Sequence, residues 1–222
     1  MPKLRVHNFS VSLDGYAAGP DQGPDHPLGR GGHRLHQWVF TTPTFRKMFE
    51  PEVAGSAPPS STLDEAFAAA GEVGVGATIM GRNMFGHQRG PWLDESWRGW
   101  WGDNPPYHHP VLVMTHHPRP SIEMAGGTTF HFVTDDVESV LQQAFDLADG
   151  QDVRLGGGVS TVRQYLQAGL IDEMHLAFAP VLLGCGERLF DNLDGPVGYQ
   201  CVELVSSPTA AHARFTRAST GQ

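Results

Sequence analysis

Residues 152–166, DVRLGGGVSTVRQYL, set three consecutive glycines between a strand pattern and a helix pattern. This segment constrains the fold more than any other in the chain. Without Cβ atoms, Gly156, Gly157 and Gly158 let a ligand approach the backbone closely. The free N–H groups that open the helix attract phosphate, helped by the helix dipole. The spacing is not GxGxxG, so an ordinary Rossmann domain is not indicated. A tight turn that binds nothing explains the same residues equally well.

Other strand ends carry comparable turns. In ATIMGRNMFG, residues 77–86, an apolar run closes at Gly81 and Arg82 stands at the turn. An Arg beside a dinucleotide's adenosine ribose can pair with a 2′-phosphate and so select NADPH over NADH. A solvated Arg at a strand end is the plainer alternative. In VLVMTHHPRP, residues 111–120, a strand runs into Thr115, His116, His117 and Arg119, groups suited to phosphate or to flanking an adenine. In NFSVSLDGYAAG, residues 8–19, the first strand ends in small residues that let a flat ring lie against backbone. A common strand–turn reads that segment as well. The histidines at 26, 33, 36, 108, 109, 116 and 117 form no HxxxH or HExxH helix. Adjacent histidines on an extended chain point to opposite faces, so no metal site is expected.

Between these segments, periodicity gives strands at Leu4–Leu13, Ala77–Met80, Val111–Thr115, Phe130–Val133, Asp152–Leu155 and Glu173–Leu183, then Cys201–Ser207 and His212–Arg217. Helices are expected over Leu35–Phe49 with a break at Thr42-Pro43, after Thr62 with Glu65 completing a capping box, after Asp135 or Asp136, and over Val159–Ala168. Residues 19–34 and 86–110 are too rich in Gly, Pro and Trp for regular elements, and 51–61 reads as a Pro/Ser linker. Strands and helices alternate in the middle and strands follow strands at the tail. The pattern is α/β: a mostly parallel sheet with an antiparallel C-terminal edge.

Composition narrows the function classes. The 222 residues suit one domain, 1–222, with insertions near 19–34 and 86–110. A net charge of −9 with no Lys/Arg run excludes a nucleic-acid binder. No stretch approaches the roughly 20 apolar residues of a membrane helix, and the N-terminus lacks a signal-peptide core. Cys185 and Cys201 stand apart from any CxxC pair, as in a cytoplasmic protein. The apolar 173–183 strand calls for pairing or cover, and a homodimer is expected.

In their order, SVSLDGYAAG, TIMGRNMFG, VLVMTHHP and RLGGGVSTVRQYLQAGLIDEMHLAFAPVLLGCGERLF resemble the dihydrofolate reductase superfamily. The SLDG turn and the GLIDEMHLAFAPVLLGCGERLF tail are most similar to its riboflavin-biosynthesis reductase branch, the RibD C-terminal domain. The resemblance runs from about residue 4 to about residue 217, outside the insertions. It implies a dihydrofolate reductase-like mixed sheet flanked by helices, and NADPH as cofactor. It places Gly81 and Arg82 on the 2′-phosphate side, Thr115 at the second phosphate-binding strand end, and Gly157, Gly158, Val159 and Ser160 at the pyrophosphate. Ser10, Val11 and Ala17 fall where the nicotinamide is bordered.

One departure bears on substrate. If Trp38 takes the place of the family's first-helix Trp, the pterin-binding acid becomes Leu35, and no Asp or Glu occurs between Asp25 and Glu50. The resemblance therefore implies hydride transfer to a C=N or C=O of a small heterocycle, similar to the 5-amino-6-(5-phosphoribosylamino)uracil reductase of riboflavin biosynthesis. Weak dihydrofolate or pterin reduction and non-catalytic NADPH binding are the alternatives. Catalytic candidates are Asp14, His36 and Trp38, with His36 or water as proton source and Trp38 as a stacking wall. Arg30 and Arg34 are candidates for a substrate phosphate. There is no HxE…PCxxC zinc deaminase motif.

Overall fold

A computed structural model describes residues 1–49, 62–193 and 198–218; the 51–61 linker lies outside them. In chain order the strands are β1 (Leu4–Ser12), β2 (Tyr16–Ala18), β3 (Val75–Gly81), β4 (Pro110–Met114), β5 (Ile122–Glu123), β6 (Thr129–Val133), β7 (Asp152–Gly157), β8 (Glu173–Ala179), β9 (Glu187–Arg188), β10 (Tyr199–Ser206) and β11 (Ala211–Arg217). The α-helices are α1 (Gln37–Phe40), α2 (Pro43–Phe49), α3 (Thr62–Ala70), α4 (Arg82–Phe85), α5 (Val137–Leu147) and α6 (Val159–Gln167). They group into two units, Met1–Arg5 with Gly74–Ile171, and Val6–Val73 with Asp172–Gln222. Strand β1 contributes its first residues to the former and the remainder to the latter.

In the first unit the strand order is β1-β7-β3-β4-β6-β5. All neighbours are parallel except β5 against β6. The central parallel strands β3 and β4 are buried on both faces, as crossover helices require, while β6 and β7 alternate buried with half-buried positions. Helix α5 packs on β3, β4 and β7 with Val140, Leu141 and Ala144 inward. Its start is fixed by Asp136, whose carboxylate accepts the Ser139 N–H at 2.8 Å. The core holds Met80, Phe85, Val111, Val113, Met124, Phe130 and Phe132. Phe85 meets Phe130 and Phe132 edge-on, at ring separations of 5.1 and 5.0 Å.

In the second unit the order is β10-β11-β8-β1, with β10, β11 and β8 antiparallel. The apolar 173–183 stretch stops being strand at Ala179 and is an interior strand, paired on both sides. The open edge is β10 instead, where Val202 and Leu204 are exposed. Short strands β2 and β9 pair with each other, a sheet that periodicity does not reveal. The helix expected over 35–49 breaks at Thr42 into α1 and α2, as Pro43 requires. Among the described residues, Glu65 bonds away from its own helix. Its carboxylate accepts Thr44 N–H at 3.1 Å and Thr44 Oγ1–H at 2.7 Å, satisfying the first turn of α2. Residues 19–34 are ordered by backbone bonds, with Gly19 N–H donating to Leu28 O at 3.0 Å and Arg30 N–H to Pro20 O at 2.8 Å. A Cβ on Gly29 would strike the Gly19 backbone, so this crossing needs glycine.

Phe85→Ala should cost about 3–5 kcal/mol of unfolding free energy, since the ring is wholly buried among aromatic neighbours. Urea denaturation of the variant beside the wild type measures it, and a loss below about 1 kcal/mol would contradict this packing.

Candidate functional site

Parallel register brings three turns together in the first unit. Met80 is paired with Gly157 and Gly81 with Met114, so β7, β3 and β4 end level with one another. Their carboxyl ends deliver the Gly157–Ser160 turn, the Gly81–Arg82 turn and Thr115 to one side. In open α/β sheets, ligands bind at such strand ends. A Cβ on Gly81 would overlap the Thr161 hydroxyl and lie 3.4 Å from the Gly158 amide nitrogen. The glycine is therefore what lets β3 and the start of α6 close up. At Gly158 a Cβ would meet open space. The Gly157–Gly158 peptide is cis. No side chain caps α6 at Gly158, so its opening N–H groups keep their hydrogen-bonding capacity. Val159 is buried and Ser160 exposed.

Arg82 is half-buried at the end of β3. Its Nη1 donates to the Gly90 carbonyl, and its guanidinium lies 3.6 Å from the Trp92 ring centre. Nε and Nη2 are buried with no hydrogen-bond partner among the described residues. Burial, then Arg89 and Arg119, lower the Arg82 pKa, but a guanidinium keeps its charge at neutral pH. Thr115 accepts the His117 N–H at 3.2 Å on its hydroxyl, closing the turn after β4. His116, exposed, and His117 follow Thr115 at this turn, while His108 and His109, which precede β4, form hydrogen bonds elsewhere in the unit. His109 Nε2 is 2.8 Å from Thr78 Oγ1, and His108 Nδ1 donates to Gly126 O at 2.8 Å.

The second unit holds the other candidates. Ser10 and Val11 are buried on β1 and Ala17 on β2. Trp38 is wholly buried, with Phe67, Ala68, Ala177 and Ala210 around it, and its indole N–H donates to Ser10 Oγ at 2.9 Å. It is a core residue here, not the exposed stacking wall that its aromatic face suggests. Leu35, at the position of the missing acid, is also wholly buried. His36 is half-buried against Phe40, and burial lowers its pKa to about 4, so the ring is neutral at pH 7. Asp14 takes the Leu183 N–H at 3.1 Å and the Gly184 N–H at 2.7 Å on its two carboxylate oxygens. Ser12 foremost, with those amides, lowers its pKa to about 2. Arg30 pairs with Asp21 at 2.5 Å.

Sequence reasoning missed a buried polar chain beside Trp38. The Asn8 N–H donates to His175 Nδ1 at 3.2 Å. His175 Nε2 must then carry the proton, and it lies 3.0 Å from His212 Nδ1. His212 Nε2 in turn donates to Asp64 Oδ1 at 2.8 Å, and the Thr209 hydroxyl donates to Asp64 Oδ2 at 2.6 Å. One backbone donor thus fixes every proton along the chain. Phe67 stacks on both imidazoles at 4.4 Å. The one available signal was a histidine at an inward strand position in EMHLAFA and in AHARFTR.

The family model described as the RibD C-terminal domain matches residues 2–212. The chain belongs to that family. Solved structures show the same fold at low identity. A riboflavin biosynthesis protein from Shewanella sp. PV-4, so described with reservation, is 23% identical with a TM-score of 0.59, over 99% of this chain and 100% of that one. A diaminohydroxyphosphoribosylaminopyrimidine deaminase/5-amino-6-(5-phosphoribosylamino)uracil reductase from Thermotoga maritima is 12% identical with a TM-score of 0.53. The match covers 98% of this RibD C-terminal domain chain and 57% of the Thermotoga one. Dihydrofolate reductase from Enterococcus faecalis, complexed with NADP(H), is 13% identical with a TM-score of 0.51, over 98% and 97% of the two chains. No curated protein matches the sequence. The dihydrofolate reductase-like mixed sheet with its antiparallel C-terminal edge is therefore the fold of this RibD C-terminal domain protein.

Gly81→Ala should destabilise the protein by about 1–3 kcal/mol, because the new methyl group must displace Thr161; an unchanged thermal midpoint would refute the close approach. A second expectation concerns pH. Burial, followed by His212 and His7, lowers the pKa of His175 to about 2. Below about pH 6.5 the unfolded histidine binds a proton that the folded one refuses, so stability falls as pH falls, by up to about 1.4 kcal/mol per pH unit. Urea midpoints at pH 7 and pH 5 should differ less in His175→Gln than in the wild type, and equal slopes would exclude His175 as the source.

Proposed function

We propose that this protein is an NADPH-dependent reductase acting on a C=N or C=O of a small heterocyclic substrate, in the manner of the riboflavin-biosynthesis reductases. The observation that carries the reading is the meeting of the Gly157–Ser160 turn, Gly81–Arg82 and Thr115 at level strand ends, with two buried Arg82 donors unpaired. Those residues fit a dinucleotide phosphate set. The uncapped amides of Val159 and Ser160 and the open face of Gly158 suit a pyrophosphate. Nε and Nη2 of Arg82 form the side-on fork that grips a phosphate by two parallel hydrogen bonds. The role that the resemblance gives Ser10, Val11 and Ala17, bordering the nicotinamide, remains part of the proposal.

When bound, the cofactor supplies hydride, and the protein contributes orientation and electrostatics. Neither acid–base candidate donates a proton at neutral pH. His36 is neutral there, and the Asp14 carboxylate is ionised and occupied by two backbone amides. Water is then the proton source, and Asp14 serves to hold the 182–184 segment. Leu35 in place of a carboxylate argues against a pterin, which needs an acid for its amidine-like edge. A cytoplasmic homodimer completes the reading. It is supported by two exposed free cysteines and by exposed Val202 and Leu204 on the open strand β10. None of the described helices is long and apolar enough to cross a membrane.

Calorimetric titration with NADPH and NADH tests the cofactor. The wild type should prefer NADPH, and Arg82→Ala should weaken NADPH binding by about 10- to 100-fold, the worth of one charged bidentate contact, while leaving NADH nearly unchanged. Equal losses for both would remove Arg82 from 2′-phosphate recognition. Binding without NADPH oxidation across pyrimidine, pterin and carbonyl substrates would favour the non-catalytic alternative.

A further inference from the structure

We propose that Trp92, from the 86–109 insertion, is a positioning residue for phosphate selection. It and the Gly90 carbonyl hold the Arg82 guanidinium so that its Nε–Nη2 edge stays unpaired among the described residues, and Arg119 adds a second positive charge. This rests on the NADPH reading above and goes beyond it by naming what sets the Arg82 geometry.

Arg82 has three faces to account for. Its flat face lies on Trp92 at 3.6 Å, and its Nη1 is taken by Gly90 O. What remains is the side-on edge, whose two donors are buried and unpaired among the described residues. A guanidinium fixed on one face and at one corner can turn only with its anchors. The fork is therefore set before any anion arrives, which lowers the ordering cost of binding.

Trp92 is itself immobilised. Its indole N–H donates to His117 O at 2.7 Å, tying the insertion to the turn that Thr115 closes. Its ring meets Phe132 edge-on at 5.3 Å and Phe85 at 6.1 Å. Arg119 braces the same insertion, donating to Glu95 O at 2.6 Å and Trp97 O at 3.2 Å. Its guanidinium lies 4.8 Å from the Trp92 ring and 4.9 Å from that of Phe132. Its Nε is also buried without a partner. Two cations thus share one indole, and neither makes a salt bridge among the described residues. Burial foremost, then Arg89 and Arg119, lowers the Arg82 pKa; Glu95 and Asp94 stand near Arg119 and offset part of its charge, so the like-charge repulsion falls mainly on Arg82. A doubly charged phosphate monoester relieves that repulsion better than the singly charged phosphates of a diester linkage.

The probes are 2′,5′-ADP, which carries the 2′-phosphate, and ADP, which does not. Calorimetric titration of Trp92→Leu should show 2′,5′-ADP binding weakened about tenfold or more, with ADP changed less than about twofold. Trp92→Phe, which keeps a flat face, should recover most of the loss. Arg119→Gln should weaken 2′,5′-ADP severalfold and flatten its salt dependence. A folded Trp92→Leu that binds 2′,5′-ADP like the wild type overturns the proposal, and so does an equal loss of both nucleotides. If Trp92→Leu does not fold, Arg119→Gln decides: selective loss supports the arrangement and unchanged 2′,5′-ADP binding overturns it. Wild-type protein that binds neither nucleotide overturns the cofactor reading, and this inference falls with it.

Discussion

The register of three parallel strands governs the first unit. With Met80 set against Gly157 and Gly81 against Met114, the ends of β7, β3 and β4 are level, and their connecting turns must converge. A shift of one residue would exchange the two buried faces of β3 and β4 and misfit the side chains packed on each, so close packing holds the alignment. The turn chemistry depends on that alignment. Gly81 approaches the start of α6 closely because it has no side chain. The uncapped amides of α6 and the donor edge of Arg82 are then products of the same packing.

Arginine and tryptophan extend this arrangement into the 86–109 insertion. Carbonyls of Gly90, Glu95 and Trp97 accept from Arg82 and Arg119, while Trp92 returns a hydrogen bond to His117. Tryptophans fill the remaining space against Phe85, Phe130 and Phe132. A segment without regular structure is thereby made rigid by side chains that serve other segments. The same groups that brace the loop place two guanidinium groups on the Trp92 ring.

The second unit solves a different problem, the burial of polar groups beside an indole. Asp64, His212 and His175 are almost wholly buried, a costly placement unless each donor meets an acceptor. The Asn8 amide begins the chain and Asp64 ends it, so each imidazole nitrogen has one role. Trp38 packs edge-on against both rings while its N–H reaches Ser10. Lowering the pH opposes this arrangement because His175 has no place for a second proton.

The sequence by itself determined features whose partners are near in the chain. The glycine run opening α6, an Asp cap at 135 or 136, the break at Pro43 and the alternation of strand and helix follow from backbone sterics and local hydrogen bonding. The order of the motifs was enough to suggest the family. Tertiary structure alone decided which candidates lie together and what each is bonded to. Asp14 is engaged by Leu183 and Gly184, Trp38 by Ser10, Asp64 by His212, and Arg119 by a loop that composition marks only as irregular. Those interactions join residues remote in sequence. Residue type sets what such a group can do, but packing and strand register set what stands opposite it.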